Sequence, residues 1–185
     1  MRPTLVRWCE RTEAVRPPPT RLKKMMLDQL YLALVAYAEH RVAVAKEAAN
    51  QARSAATDRE SVAETKWDTF GLENSYLAHG QSVRVAECEA DLAYFKKFAF
   101  SDSDEITLGS VFKVERQDGW SKTVILSQCC GGGEFECQGS SILLVTPQTP
   151  LGQSLLGREE GDEILMKSRG VDQEAEIVKI FLPRD

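Results

Sequence analysis

From Arg21 to about Lys66 the chain contains no glycine and no proline, and alanine, leucine, glutamate, lysine, arginine and glutamine dominate. A run of that length and composition favours one regular structure, a long helix. Spacings of three and four predict its core stripe: Leu27, Leu30, Leu34, Tyr37, Arg41, Val44, Ala48, Gln51 and Ala55. The stripe is bulky at its start and small toward its end, so a partner helix would approach closely there. Pro17-Pro18-Pro19 cannot continue a helix, which makes Thr20 the expected N-cap. Residues 1–20, with Arg2, Arg7, Arg11 and Arg16, read as a disordered basic tail. Thr57-Asp58-Arg59-Glu60 fits a capping box that would restart or kink the helix.

Gly71 is the strong breaker that follows. A second helix is expected from about Leu72 to Phe98, with a seam at Ala78, Gln81, Val85, Cys88, Leu92 and Phe95. Two such helices joined by a short break prefer to pair antiparallel. Residues 21–100 are therefore expected to form a coiled-coil hairpin with its tip at about 57–73. The first helix is longer, so its first turns should run past the second and pack elsewhere. The stretch Thr57–Gln81 carries Asp58, Glu60, Glu64, Asp68 and Glu73, with Trp67, Phe70 and Tyr76. Two carboxylates at the end of a rigid arm can bind Mg²⁺, which keeps waters and accepts substrate oxygens. Such an arm can complete another enzyme's metal site. The plainer reading is a solvated helical face, with Asp68 capping the second helix.

Ser101-Asp102-Ser103-Asp104-Glu105 is a polar acidic linker, and residues 106–185 read as a second domain. Strands are expected at Gly109–Glu115 and Lys122–Ser127, flanking a turn at Asp118-Gly119. Ser141–Thr146 reads as a buried strand. A short helix over Gln148–Leu156 would be capped by Thr149, started by Pro150 and ended by Gly157. Glu163–Lys167 and Glu174–Leu182 are the last strands. The expected fold class is α+β in two domains, an antiparallel helical hairpin followed by a small antiparallel sheet with one short helix.

Several function classes have little support. The net charge is −5, which does not suit a basic phosphate-backbone binder, and no sequence-specific nucleic acid contact is expected. The longest apolar run, Tyr31–Ala38, is too short for a bilayer, which needs about 20 residues. No continuous apolar segment follows the N-terminal arginines, so a secretory signal is not expected. The five cysteines, Cys9, Cys88, Cys129, Cys130 and Cys137, are odd in number and suggest reduced thiols in a cytoplasm. Cys129, Cys130 and Cys137 can supply three metal ligands, but paired CxxC spacing is absent and the favoured reading is small side chains in a strand and hairpin loop. Gly131-Gly132-Gly133 is not followed by Lys-Ser/Thr and reads as a hairpin connection. His40 and His79 stand far apart on helices, and no Ser/His/Asp or Cys/His grouping supports nucleophilic catalysis.

The segment Val145-Thr-Pro-Gln-Thr-Pro-Leu-Gly-Gln-Ser-Leu-Leu-Gly-Arg-Glu-Glu-Gly-Asp-Glu163 resembles the C-terminal domain signature of the bacterial Gre (GreA/GreB-type) transcription elongation factors. The chain looks like a divergent paralogue, with the resemblance covering about residues 21–182. It implies an FKBP-like C-terminal domain that binds core RNA polymerase at the rim of its secondary channel. It further implies a coiled coil whose tip acids reach the polymerase Mg²⁺ and promote cleavage of backtracked RNA by the polymerase itself. The factor would be a cytoplasmic monomer, not an enzyme, with no cofactor of its own beyond shared Mg²⁺. The family's tip reads Asp-x-x-Glu-Asn-x-x-Tyr. Glu73-Asn74 matches its Glu-Asn pair, Tyr76 lies one residue closer than the family's Tyr, and Phe70 stands in the Asp position. The nearest upstream acid is Asp68, five residues before Glu73. The resemblance thus points to Asp68 and Glu73 as metal-directed acids, with Asn74, Tyr76 and Glu64 in support and Pro150, Leu151, Leu155 and Leu156 in docking. A channel-binding regulator or inhibitor without cleavage activity is the alternative. The FKBP-like fold also raises peptidyl-prolyl isomerase activity, for which the aromatics on hand are Phe112, Trp120, Phe135 and Phe181.

Overall fold

A computed structural model describes residues 19–57, 70–168 and 171–183. Helix α1 spans Pro19–Thr57 and helix α2 spans Phe70–Phe95. Pro19 and Thr20 are both helical, so Thr20 is not the N-cap expected for α1. The two helices run antiparallel, as their cross-links show. The Tyr31 hydroxyl donates to the Lys96 carbonyl at 3.0 Å. Arg41 pairs with Asp91 at 2.8 Å and Lys46 with Glu89 at 2.7 Å.

The seam expected for α2 is the one observed, with Cys88 and Phe95 buried and Ala78, Gln81, Val85 and Leu92 half-buried. The seam expected for α1 slips by one residue after Leu34. The buried positions are Leu27, Leu30, Leu34, Ala38, Val42, Ala45, Ala49 and Ala52. Their spacing runs 4-4-4 from Leu30 to Val42, so the stripe keeps close to the 3.6-residue period of a straight helix. Tyr37 and Arg41, expected in the seam, point to the sheet side. Tyr37 stacks on Phe135 with ring centroids 5.4 Å apart. Toward the tip the seam is alanine on α1, as expected, at Ala45, Ala49 and Ala52.

The rest of the chain forms β1 (Val111–Arg116), β2 (Ser121–Leu126), β3 (Glu134–Cys137), β4 (Ser140–Val145), α3 (Pro150–Leu155), β5 (Glu163–Ser168) and β6 (Val171–Phe181). One sheet of six strands has the order β3-β4-β2-β1-β6-β5. It is mixed, not purely antiparallel as expected, because β2 and β4 pair in parallel with Val124 opposite Leu143. The short strand β3, not foreseen as a strand, hairpins onto β4 and makes that parallel step possible.

Both faces of the sheet are buried, and the two-residue period of a strand assigns alternate residues to each. On one face Phe112, Val124, Leu126, Val145 and Ile177 pack with Leu155 of α3. On the other, Val111, Ile125, Ile142 and Leu144 pack with Leu27, Leu30, Leu34 and Ala38 of α1 and with Phe95 of α2. Burial on both faces explains why Val124-Ile125-Leu126 is an unbroken apolar run. The part of α1 around Leu27 and Leu30, level with and beyond the end of α2, packs on the sheet. Tyr94, Phe95, Phe98 and Phe100 form a chain of ring contacts where α2 leaves the hairpin.

Candidate functional site

Of the tip residues singled out in the sequence, Glu73, Asn74 and Tyr76 lie at the start of the described part of α2. Glu73 sits in the first turn of α2, where a carboxylate faces the positive end of the helix dipole. It lies eighteen positions before Asp91, a rise of about 27 Å along the helix. Asn74 is the next helical residue, and Tyr76, 69% exposed, lies one turn on from Glu73 and on the same face. Glu64 and Asp68 fall outside the described residues. Gly71, expected to be a breaker, is itself helical and lies within α2. The structure thus gathers Glu73, Asn74 and Tyr76 on one helical stretch with Gly71 inside it.

The segment 145–163 folds as its residues dictate. Thr149 caps α3, its hydroxyl oxygen accepting from the Gly152 amide at 3.1 Å, and Pro150 begins the helix. The Thr149 hydroxyl also donates to the Thr146 carbonyl at 2.8 Å. That carbonyl lies against Gly152, where an added Cβ would come within 2.0 Å of its oxygen. Of the four residues expected to dock, Pro150 and Leu156 are exposed and Leu151 is half-buried. Leu155 is fully buried against the sheet, so it is a core residue and presents no docking surface.

A second constellation lies where the hairpin meets the sheet. The Arg41 guanidinium of α1 donates through Nη1 to Asp91 of α2 at 2.8 Å, and the same nitrogen contacts the Cys130 sulfur. The Cys130 thiol donates to Asp91 Oδ2 at 3.1 Å. Ligand atoms of Asp91, Cys129 and Cys130 all lie within 4.8 Å of one another. Cys137, the third thiol weighed in the sequence, is not in this group. The β2–β3 loop that presents the cysteines is pinned. The buried Ser127 hydroxyl donates to the Cys129 carbonyl at 2.7 Å, and the Gly133 amide to the Cys130 carbonyl at 2.9 Å. Gly133 is required there, since a Cβ would meet the Tyr37 hydroxyl. Cys130 itself holds φ at 60°, a left-handed conformation uncommon outside glycine. Its hydrogen bond with Cys129, burial and the Asp91 carboxylate all push its thiol well above the ordinary range. Sequence reasoning found the cysteine pair but not Asp91 or Arg41, since only the fold brings them together.

The aromatics offered for an isomerase pocket do not converge. Phe112 and Phe135 belong to opposite faces of the sheet, and Trp120 lies under the Arg116 guanidinium, 4.6 Å from its ring centre. No helix among the described residues is long and apolar enough to cross a membrane.

A helical hairpin rooted on one face of a mixed sheet, with a capped short helix on the other, defines an α+β protein with a protruding arm. No family model matches the chain, and no curated protein matches it. Solved structures do. Gfh1, the GreA factor homolog 1 of Thermus thermophilus, aligns over 80% of this chain and 94% of its own at 16% identity and a TM-score of 0.34. Thermus aquaticus Gfh1 aligns over 80% and 94% at 19% identity and a TM-score of 0.36. The transcription elongation factor GreA/GreB from Nitrosomonas europaea aligns over 52% of this chain and 78% of its own, at 22% identity and a TM-score of 0.31. The likeness is distant at these values.

Proposed function

We propose that this chain is an RNA polymerase-binding transcription factor of the Gre type, acting as a cofactor of the polymerase and not as an enzyme. In this reading the sheet domain docks at the rim of the secondary channel through the exposed part of the 147–163 segment, Pro150 and Leu156 included. The hairpin enters the channel and carries Asp68 and Glu73 to the active-site Mg²⁺. There the polymerase would cleave backtracked RNA. Asn74 and Tyr76 orient the acids, and Glu64 adds negative charge nearby. Mg²⁺ accepts one or two protein carboxylates beside its waters and substrate oxygens, which is the set such a tip offers.

The observation that carries the reading is a juxtaposition within one chain. The Val145–Glu163 signature stands on the sheet, and an arm rooted on the same sheet bears an exposed Glu73 toward its far end. A second reading, channel binding that modulates or inhibits without cleavage, is favoured by Phe70. One turn before Glu73 on α2 stands Phe70, not an acid, so the helix face that carries Glu73 offers a single carboxylate there. A transcript-cleavage assay on stalled elongation complexes, paired with a core-polymerase binding measurement, separates the two. Cleavage that disappears in Asp68→Ala or Glu73→Ala while binding persists supports the first reading. Binding without cleavage in the parent supports the second, and no binding to core polymerase rejects both.

A further inference from the structure

We propose that Asp91, Cys129 and Cys130 form a binding site for a thiophilic divalent cation of the zinc class, at the junction of arm and sheet, and that Arg41 competes with the cation for it. Three ligand atoms of two chemical types lie within 4.8 Å of one another, contributed by α2 and by the β2–β3 loop. Two sulfurs and one carboxylate oxygen suit Zn²⁺, which takes thiolate and carboxylate ligands at about 2.0–2.3 Å in tetrahedral sites. The same set does not suit Mg²⁺ or Ca²⁺, which prefer oxygen alone. Three protein ligands leave a fourth position for water or an incoming group.

Arg41 Nη1 contacts both Asp91 Oδ2 and the Cys130 sulfur, so a cationic nitrogen already stands between two of the three ligands. A metal ion takes over that role. With protonated thiols, the Asp91 carboxylate is neutralised by Arg41. On binding, both thiols release their protons to solvent, and M²⁺ with two thiolates and one carboxylate carries net charge −1, while Arg41 moves to neutralise a second carboxylate. The displaced guanidinium has a place to go. An open groove beside Arg41 and Asp91 is lined by Glu87, an exposed carboxylate on the same helix. Because Asp91 belongs to the arm and the cysteines to the sheet, an ion held by all three fixes one against the other.

The test uses the full chain, stripped with a chelator and kept in a non-thiol reductant, titrated with Co²⁺ as a spectroscopic probe and then with Zn²⁺. The expected result is a thiolate-to-cobalt charge-transfer band that saturates at one equivalent and is displaced by Zn²⁺. Cys129→Ser and Cys130→Ser should each weaken binding by at least about 100-fold, since removing even an outer-shell partner typically costs 10–100-fold. Cys137→Ser and Cys88→Ser should leave the band unchanged. Arg41→Met, which removes no ligand, should tighten binding and so gives a result independent of whether a cysteine variant folds. The proposal is overturned if the parent shows no charge-transfer band with excess Co²⁺. It is also overturned if the band survives in Cys130→Ser, or if Arg41→Met weakens binding.

Discussion

Arg41 and Asp91, fifty residues apart in sequence, form a 2.8 Å ion pair across the hairpin, at the level where the β2–β3 loop touches it. Both side chains are roughly three-quarters withdrawn from water, and Cys130 completes a triangle with them. Removing one partner leaves a partly buried charge uncompensated. Asp91→Ala should cost about 1–2 kcal/mol of stability. Arg41→Met with Asp91→Leu should cost less than the two single changes added together. Urea unfolding of the metal-free protein gives both values, and strict additivity would show that the pair is not coupled.

Gly152 is held against the Thr146 carbonyl, with no room for a side chain. Gly152→Ala must push α3 off the turn that caps it, and with it Leu155 out of the sheet core. The expected cost is about 3 kcal/mol, at the upper end for overpacking. A urea midpoint within experimental error of the parent would contradict the close approach.

Gly80 is the opposite case. It lies inside α2, and a Cβ there would meet nothing within 4 Å. Gly80→Ala should stabilise the protein by about 0.5–1 kcal/mol, because alanine loses less backbone freedom on forming helix. Calorimetry should show a higher Tm, and a lower one would mean that the position needs its glycine.

Alkaline pH should unfold this protein selectively. Burial raises the Tyr37 and Tyr94 hydroxyls above their ordinary 10.0, and burial likewise raises the Cys137 thiol above 9.0. Cys130 is raised as well, by its hydrogen bond with Cys129 and by burial. Groups raised in the folded state bind protons more tightly there than in the unfolded chain. Their contribution is intact below the unfolded values and is lost as pH rises past them. Stability should therefore hold at neutral pH and fall from about pH 9 upward, where free thiols and then phenols ionise. Urea midpoints measured between pH 7 and 10.5 follow the loss. Cys130→Ser should flatten the earlier part of it, and a pH-independent midpoint would remove the claim.

Much of the fold was legible because local chemistry and tertiary packing agree. The α2 seam, the Thr149 cap, the Pro150 start and the Asp-Gly turn each follow from residues whose neighbours in space are also neighbours in sequence. The α1 seam failed at Tyr37 for a physical reason. Near its base the helix is covered on two sides, by α2 and by the sheet, so a large apolar residue there can belong to either. Tyr37 faces Phe135, and small Ala38 takes the seam. The parallel β2–β4 pair was hidden because it depends on the four-residue β3, whose Glu-Phe-Glu-Cys sequence carries only one large apolar side chain. The tip acids were visible as acids, but Gly71 was a poor guide to the break between the helices, because a single glycine costs a helix only about 1 kcal/mol and Gly71 is helical. The Asp91–Cys130 contact joins residues 39 apart, and no local pattern announces it.

The apolar face made by Val111, Ile125, Ile142 and Leu144 is covered largely by α1 residues that the ribosome delivers seventy or more positions earlier. The early turns of α1 must wait, uncovered on that side, until the strands are synthesised. A fragment beginning at the acidic linker would expose that face to water. The C-terminal half is thus no autonomous module awaiting an arm, and the arm is as much its chaperone as its extension.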